Sequence, residues 1–143
     1  MRRIFVIISL IIGIGYVVLA QERRSYDESK CIYFNYQNQK YSICYFDYDL
    51  DKTPTWLPDR AEPPISLRSA IEKSRGFLAK HVEDPQAWQI VEIHLDRVGE
   101  KNKWVYEIEF ECSEKNCGGN LPLSYRAVLK MDGSFIDPQI SKE

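Results

Sequence analysis

The cysteines are the residues of this chain whose type and spacing most directly imply chemistry. They form two close pairs, Cys31 with Cys44 and Cys112 with Cys117. Neither pair has the CxxC spacing of redox-active dithiols and zinc sites, so we expect neither use. An even number of cysteines in an exported chain is typical of structural disulfides, and the close spacing favours local pairing among the possible connectivities. The sequence therefore predicts the disulfides Cys31–Cys44 and Cys112–Cys117.

Acid–base chemistry has few candidate residues. His81 falls at the end of a predicted helix and His94 on the outer side of a predicted strand, and no serine or cysteine is placed to act as their nucleophile. Glu107, Glu109 and Glu111 alternate along one strand face at a spacing of about 7 Å, as in any acidic strand. That row does not identify a glycosidase. We predict no enzymatic activity, no catalytic residue and no cofactor.

The stretch "DYDLDKTPTWLPDRAEPP" begins like a calcium-binding loop. Asp47, Asp49 and Asp51 occupy its first odd positions. Lys52, however, stands where such a loop needs glycine, and Pro58 stands where it needs a bidentate glutamate. We therefore predict no metal site in this stretch.

The same stretch is rich in proline, which indicates an extended linker over residues 53–64. Trp56 lies inside this linker. It is either a clasp against the domain or an exposed contact.

The N-terminal stretch "MRRIFVIISLIIGIGYVVLA" predicts export. Arg2 and Arg3 precede an apolar run over residues 4–20, which is either a signal peptide cleaved after Ala20 or an uncleaved inner-membrane anchor. The chain has 21 acidic residues against 19 basic ones, and cleavage would remove two of the basic ones. Because no basic cluster is visible, we do not expect nucleic acid as a partner. The predicted location is periplasmic or secreted, alternatively membrane-anchored.

The stretch "CIYFNYQNQKYSIC", within residues 21–52, predicts an aromatic β-hairpin. A two-residue turn at Gln37 and Asn38 places Cys31 opposite Cys44 in a non-hydrogen-bonded pair, where Cα atoms approach to about 4.5 Å. Alternation then puts an apolar set on one face, which we expect to pack on the rest of the domain: Ile32, Phe34, Tyr36, Tyr41 and Ile43. The aromatics expected to be exposed are Tyr33, Tyr45, Phe46 and Tyr48.

Residues 65–143 read as a helix followed by strands. In "ISLRSAIEKSRGFLAKHV" apolar residues recur at three and four positions from Leu67, with Ser66 as N-cap and Asp84-Pro85 as the end. Period-two alternation follows in "WQIVEIHLDRV", "WVYEIEFEC" and "SYRAVLKM". The sequence therefore predicts an α+β fold, with an amphipathic helix packed on an antiparallel sheet of three to four strands.

Charge pairs are expected across this predicted sheet. Glu107 and Glu109 would lie opposite Arg126 or Lys130.

These segments resemble a known family. The run "ISLRSAIEKS", followed by "VEIHLDR", "WVYEIEFE" and "YRAVLKMDGSFID", is similar to the PepSY domain over residues 65–137. The chain departs from that pattern in its "MDGSF" turn, its "CSEKNC" loop and its added hairpin. The resemblance implies a noncatalytic envelope or secreted module, of the kind found in protease propeptides that bind or restrain peptidases.

The functional hypothesis is therefore an exported module that binds or inhibits an envelope or secreted protein, such as a peptidase. Its candidate contact residues are Tyr33, Tyr45, Tyr48, Trp56, Asn116 and Asn120. Two alternatives stay open. One is a small-ligand or saccharide binder that stacks ligands on these aromatics, and the other is a structural envelope protein tethered by residues 4–20.

Overall fold

The computed structural model describes residues 29–113, 117 and 123–141, which form an α-helix and two antiparallel sheets. The elements are, in chain order, β1 (Lys30–Tyr36), β2 (Gln39–Tyr45), a 3-10 helix (Asp47–Leu50), α1 (Leu67–Leu78), a second 3-10 helix (Pro85–Ala87), β3 (Trp88–Val98), β4 (Lys103–Cys112), β5 (Leu123–Lys130), β6 (Phe135–Ile136) and β7 (Gln139–Ile140). The sheets have the orders β1-β2-β7 and β3-β4-β5-β6. The α+β prediction is confirmed.

The β1-β2 hairpin has the predicted register. Gln37 and Asn38 both have positive φ, 49° and 61°, which is the backbone of a type I′ turn. Cys31 therefore pairs with Cys44, and their disulfide joins Cα atoms 4.1 Å apart. The Cys112–Cys117 disulfide is also present. Both pairings predicted from spacing are confirmed.

The apolar face of the hairpin is part of the main hydrophobic core. The ring of Phe34 lies 5.0 Å from that of Tyr125 in β5, and the ring of Tyr36 meets Trp88 edge-on at 5.8 Å. Ile32 and Ile43 are buried beside them. Because a two-stranded ribbon has little stability alone, this packing is what holds the hairpin in place.

The prediction that Tyr45 is exposed is wrong. Its side chain is fully buried. It lies two residues after Ile43 on the same strand, so the alternation of β2 points it toward the core. Its hydroxyl donates a hydrogen bond to Glu107 Oε1 at 2.5 Å. Burial, and then this bond, raise the pKa of Tyr45 well above its ordinary value.

Glu107 therefore ties the hairpin to the four-stranded sheet. Besides accepting from Tyr45, its carboxylate lies 2.6 Å from the Lys30 ammonium, which also contacts Asp96 at 2.6 Å. Burial of Lys30 opposes its charge, but the bonds from the two carboxylates outweigh it and raise the pKa of Lys30. The cross-strand pair predicted for Glu109 forms with Arg126 at 2.6 Å, whereas Glu107 lies opposite Val128 and the pair predicted for it is wrong.

Side-chain alternation along β4 separates two environments. Tyr106, Ile108 and Phe110 are buried, and the Tyr106 hydroxyl donates to the Ile65 carbonyl just before α1. Glu107 lies between them in sequence, so it points to the opposite face, where it meets the hairpin. Tyr36 of the hairpin, in contrast, contacts Trp88 and Tyr125, which pair with Cys112 and Phe110 on the helix-facing side. The hairpin therefore contacts side chains of both faces of this sheet.

The helix α1 begins as predicted and ends earlier. The Ser66 hydroxyl accepts from the Ser69 amide at 3.2 Å, which is the predicted N-cap. The helix ends at Leu78, and the Lys80 and His81 amides then donate to carbonyls three residues back, in a tightened final turn. Leu67, expected in the apolar stripe, is half-exposed because it opens the helix, before the turns that bury Ala70, Ser74, Phe77 and Leu78.

A β-bulge changes the expected alternation of β3. Ile93 and Leu95 pair with Ile108 and Tyr106 on the helix-facing side, as predicted. The register shifts between Ile90 and Glu92, so Val91 has no cross-strand partner and is half-exposed. One inserted residue is enough to move a predicted core valine to the surface.

The hydrogen bond from Tyr45 to Glu107 can be tested by removing the hydroxyl alone. Tyr45→Phe should lower the free energy of unfolding by about 1–3 kcal/mol, because the partly buried Glu107 carboxylate loses a donor. Urea unfolding measures the difference. Tyr33→Phe, which removes a hydroxyl from an exposed ring, is the matched control and should change stability by less than about 0.5 kcal/mol. Equal effects of the two substitutions would contradict the assigned bond.

Buried tyrosines should make the protein unstable in alkali. Burial is the first cause that raises the pKa of both Tyr45 and Tyr125 above the ordinary 10.0. In the unfolded chain these hydroxyls ionise at a lower pH than in the folded chain. Their contribution to stability is therefore complete below about pH 10 and is lost as pH rises toward the folded pKa.

An alkaline titration followed by tyrosinate absorbance and circular dichroism measures this loss. Absorbance from buried tyrosines should rise together with unfolding. Their ionisation in a protein whose circular dichroism stays native would contradict the assignment.

Candidate binding surface

The side of the three-stranded sheet turned away from the core is the candidate surface, here called the outer face. Its residues alternate with the buried ones along β1 and β2, and β7 adds a residue opposite Ser42. The outer face consists of Cys31, Tyr33, Asn35, Lys40, Ser42, Cys44 and Gln139. It combines an aromatic ring, amides, a hydroxyl, an ammonium group and a disulfide on one regular element.

Tyr33 is the most prominent side chain of the outer face. It is 54% exposed and lies directly opposite Ser42. The Lys40 ammonium is 5.5 Å from its ring centroid, at cation–π distance. The Cys31–Cys44 bridge, two residues away along each strand, restrains the backbone that carries the ring. A rigid tyrosine of this kind loses little conformational entropy when it binds a partner.

Tyr48 is a second exposed aromatic, on a different element. It is 53% exposed in the 3-10 helix Asp47–Leu50 and stacks on Phe46, with ring centroids 5.0 Å apart. The Phe46 amide donates to Asp49 Oδ2 at 2.9 Å, and Leu50 is fully buried. The buried Leu50 side chain therefore anchors this 3-10 helix, and Tyr48 is exposed to solvent.

The aspartates of the rejected calcium loop have other partners. Asp51 Oδ1 lies 2.9 Å from Lys101 Nζ, and Asp47 Oδ2 lies 3.6 Å from the same ammonium. Asp49 accepts from the Phe46 amide. Within residues 29–113, 117 and 123–141, no group of histidine, cysteine, aspartate or glutamate side chains is arranged to hold a metal ion.

Trp56 is the clasp that the sequence analysis allowed as one alternative. It is only 9% exposed, and its indole donates to the Ala61 carbonyl at 2.7 Å. Its ring meets Trp104 at 5.1 Å, and the Trp104 indole donates to the Trp56 carbonyl at 2.9 Å. The Trp56 amide donates to Asn102 in the β3-β4 turn. Trp56 thus fixes the proline-rich segment to the sheet, and its ring is not open to stack a ligand.

The predicted contact residues differ in their exposure to solvent. Tyr33 and Tyr48 present exposed rings, whereas Tyr45 and Trp56 are buried. Asn116 and Asn120 lie outside the described residues.

Sequence reasoning missed one residue of the outer face. Gln139 joins this face through β7, a two-residue strand far along the chain, and no local pattern indicates that pairing. Lys40 and Asn35, in contrast, follow directly from the alternation of the hairpin.

The side chains considered for acid–base chemistry have structural partners. Glu107 holds Tyr45 and Lys30, and His94 Nε2 lies 2.9 Å from Glu92 Oε1. His81 Nδ1 lies 2.9 Å from the Phe77 carbonyl. A cavity of about 10 Å³ beside His94 and Glu107 has room for about one water molecule.

A larger open cavity, of about 330 Å³, lies between the start of β1 and the end of β3. It is lined by Ser29, Lys30, Arg97, Val98 and Gly99. Neither this cavity nor the smaller one is lined by Tyr33, Tyr48 or Trp56.

The two disulfides indicate a compartment more oxidising than the cytoplasm. The predicted export signal lies outside the described residues. Among the residues described, no helix has the length and apolar character needed to cross a membrane.

Comparison with known proteins adds no relative. No protein-family model, curated protein or solved structure matches this chain. The PepSY resemblance over residues 65–137 therefore stays a prediction.

Proposed function

We propose that this protein is an exported, noncatalytic module that binds another envelope or secreted protein through its outer face. The observation that carries the proposal is Tyr33, a tyrosine 54% exposed on a sheet that a disulfide and a tight turn both restrain. Tyrosine is enriched at the energetic centres of protein interfaces because one rigid ring offers both apolar area and a hydroxyl.

The shape of the outer face favours a macromolecular partner. Small-molecule sites are typically concave and enclose most of the ligand. Tyr33 stands instead on the open side of a sheet, beside the uncharged polar side chains of Asn35, Ser42 and Gln139. An open polar and aromatic surface of this kind suits contact with another folded protein.

The resemblance of residues 65–137 to the PepSY domain narrows the class of partner. The PepSY resemblance supports a peptidase as the partner, and the module would then restrain that enzyme.

A photo-crosslinking experiment on the exported full chain tests the proposal. Benzoylphenylalanine at position 33 should crosslink to one envelope or secreted protein. The same probe at Val91, a half-exposed position on the bulge of β3, should not capture that protein. Equal capture from both positions would contradict a partner site on the outer face.

Binding of the purified partner then tests the contribution of the ring. Tyr33→Ser should weaken the Kd by about thirtyfold, the effect of a tyrosine worth about 2 kcal/mol at an interface centre. The free energy of unfolding should fall by less than about 1 kcal/mol, because the ring is exposed. Tyr33→Phe keeps the ring and should retain most of the affinity.

Two results would favour the alternatives. An oligosaccharide that shifts tryptophan or tyrosine fluorescence, with no protein crosslinked from position 33, would favour a saccharide-binding role. An intact mass that includes residues 4–20 would favour a membrane-tethered protein.

A further inference from the structure

The two disulfides lie in contrasting surroundings. Cys31 and Cys44 are both exposed, on the outer face of the hairpin. Cys112 is fully buried, and Cys117 is half-buried. Exposed disulfides are the ones that external thiols reach, whereas enclosed ones resist exchange until the structure opens. The two bridges should therefore react very differently in the folded protein.

We infer that the Cys31–Cys44 bridge is a thiol–disulfide exchange site, which an external dithiol opens while the protein stays folded. This inference is independent of the proposed binding function. It rests on the exposure of both cysteines and on contacts that hold the hairpin without the bridge.

The exposure of both cysteines opens the bridge to attack from solvent. In exchange, the incoming thiolate approaches one sulfur in line with the S–S bond, opposite the sulfur that leaves. The Cys31–Cys44 bridge runs across the outer face from β1 to β2, and both of its residues are exposed there. An external thiolate can therefore attack either sulfur, and the step balances in the same way for both.

The chemistry balances with a dithiol as reductant. For attack at Cys31, one thiolate of the dithiol bonds to Cys31 Sγ, the Cys31–Cys44 bond breaks, and its electron pair leaves on Cys44 Sγ. The second thiolate of the dithiol then attacks the mixed disulfide at the dithiol's own sulfur and expels the Cys31 thiolate. The dithiol is oxidised by two electrons to a disulfide, and its two protons are taken up by Cys31 and Cys44.

The second bridge lacks a comparable route. Attack on the half-buried Cys117 would expel a thiolate at Cys112, which packs in the hydrophobic core. Burial in apolar surroundings raises the pKa of a thiol, and a thiol of high pKa is a poor leaving group. On the outer face, in contrast, the departing Cys31 or Cys44 thiolate is in contact with water.

The hairpin keeps other restraints when its bridge opens. The type I′ turn at Gln37 and Asn38, the buried face around Phe34 and the Tyr45 bond to Glu107 do not depend on the disulfide. β7 also pairs with β2 on the far side from Cys31. Reduction should therefore leave the fold in place and free both thiols on the outer face.

Timed reduction of the intact protein tests this site. The full chain is incubated with dithiothreitol at neutral pH without denaturant, and thiols are alkylated at intervals and located by peptide mass spectrometry. Labelling of Cys31 and Cys44 should be at least about tenfold faster than labelling of Cys112 and Cys117. Circular dichroism should stay native during the fast phase. Equal rates, or loss of native circular dichroism in step with labelling, would overturn the inference.

Glutathione provides a second test of the bridge. Because it is a monothiol, it should leave a mixed disulfide on one of Cys31 and Cys44 and a free, alkylatable thiol on the other. A mixed disulfide found first on Cys112 or Cys117 would overturn the inference.

Discussion

The position of the hairpin depends on a partly buried carboxylate that has two partners from another part of the chain. Glu107 accepts from the Tyr45 hydroxyl and contacts the Lys30 ammonium, and both groups come from the hairpin. Burying a carboxylate is unfavourable unless hydrogen bonds and an opposite charge replace the lost water. The hairpin supplies both, and the sheet in return supplies the apolar surface that a two-stranded ribbon needs. These polar contacts and the apolar packing together fix the orientation of the outer face.

Contacts between aromatic rings also connect the hairpin to the helix and the four-stranded sheet. Tyr125 of β5 contacts Phe34 and Tyr36 of the hairpin, His81 after α1 and Trp88 at the start of β3. Ring contacts of this kind stabilise by about 0.5–1.5 kcal/mol each beyond the area they bury. Because one side chain meets three elements, the hairpin, helix and sheet are expected to unfold together rather than separately. The aromatics between Cys31 and Cys44 therefore serve mainly as core, and Tyr33 is the exception.

The sequence could predict what alternation and turn geometry decide locally. A two-residue turn at Gln37 sets the whole register from Cys31 to Cys44, and period two then sorts the faces. The same alternation, extended one residue beyond Cys44, places Tyr45 on the buried face. The bulge at Val91 and the pairing of β7 with β2 have no local signal, because both depend on which partner strand arrives. Glu107 was predicted to pair with Arg126 or Lys130 in its own sheet. Its partners are instead Lys30 and Tyr45 of the hairpin.

The outer face also combines residues that are far apart in the sequence. Tyr33, Lys40 and Ser42 follow from the hairpin, and Gln139 comes from the other end of the described chain. The Ser141 amide donates to the Lys40 carbonyl at 2.8 Å and closes the pairing of β7 with β2. Strands that pair across so much sequence form late, because a long loop must close first. The hairpin is synthesised well before β7, so the three-stranded sheet and its outer face are complete only once β7 has left the ribosome.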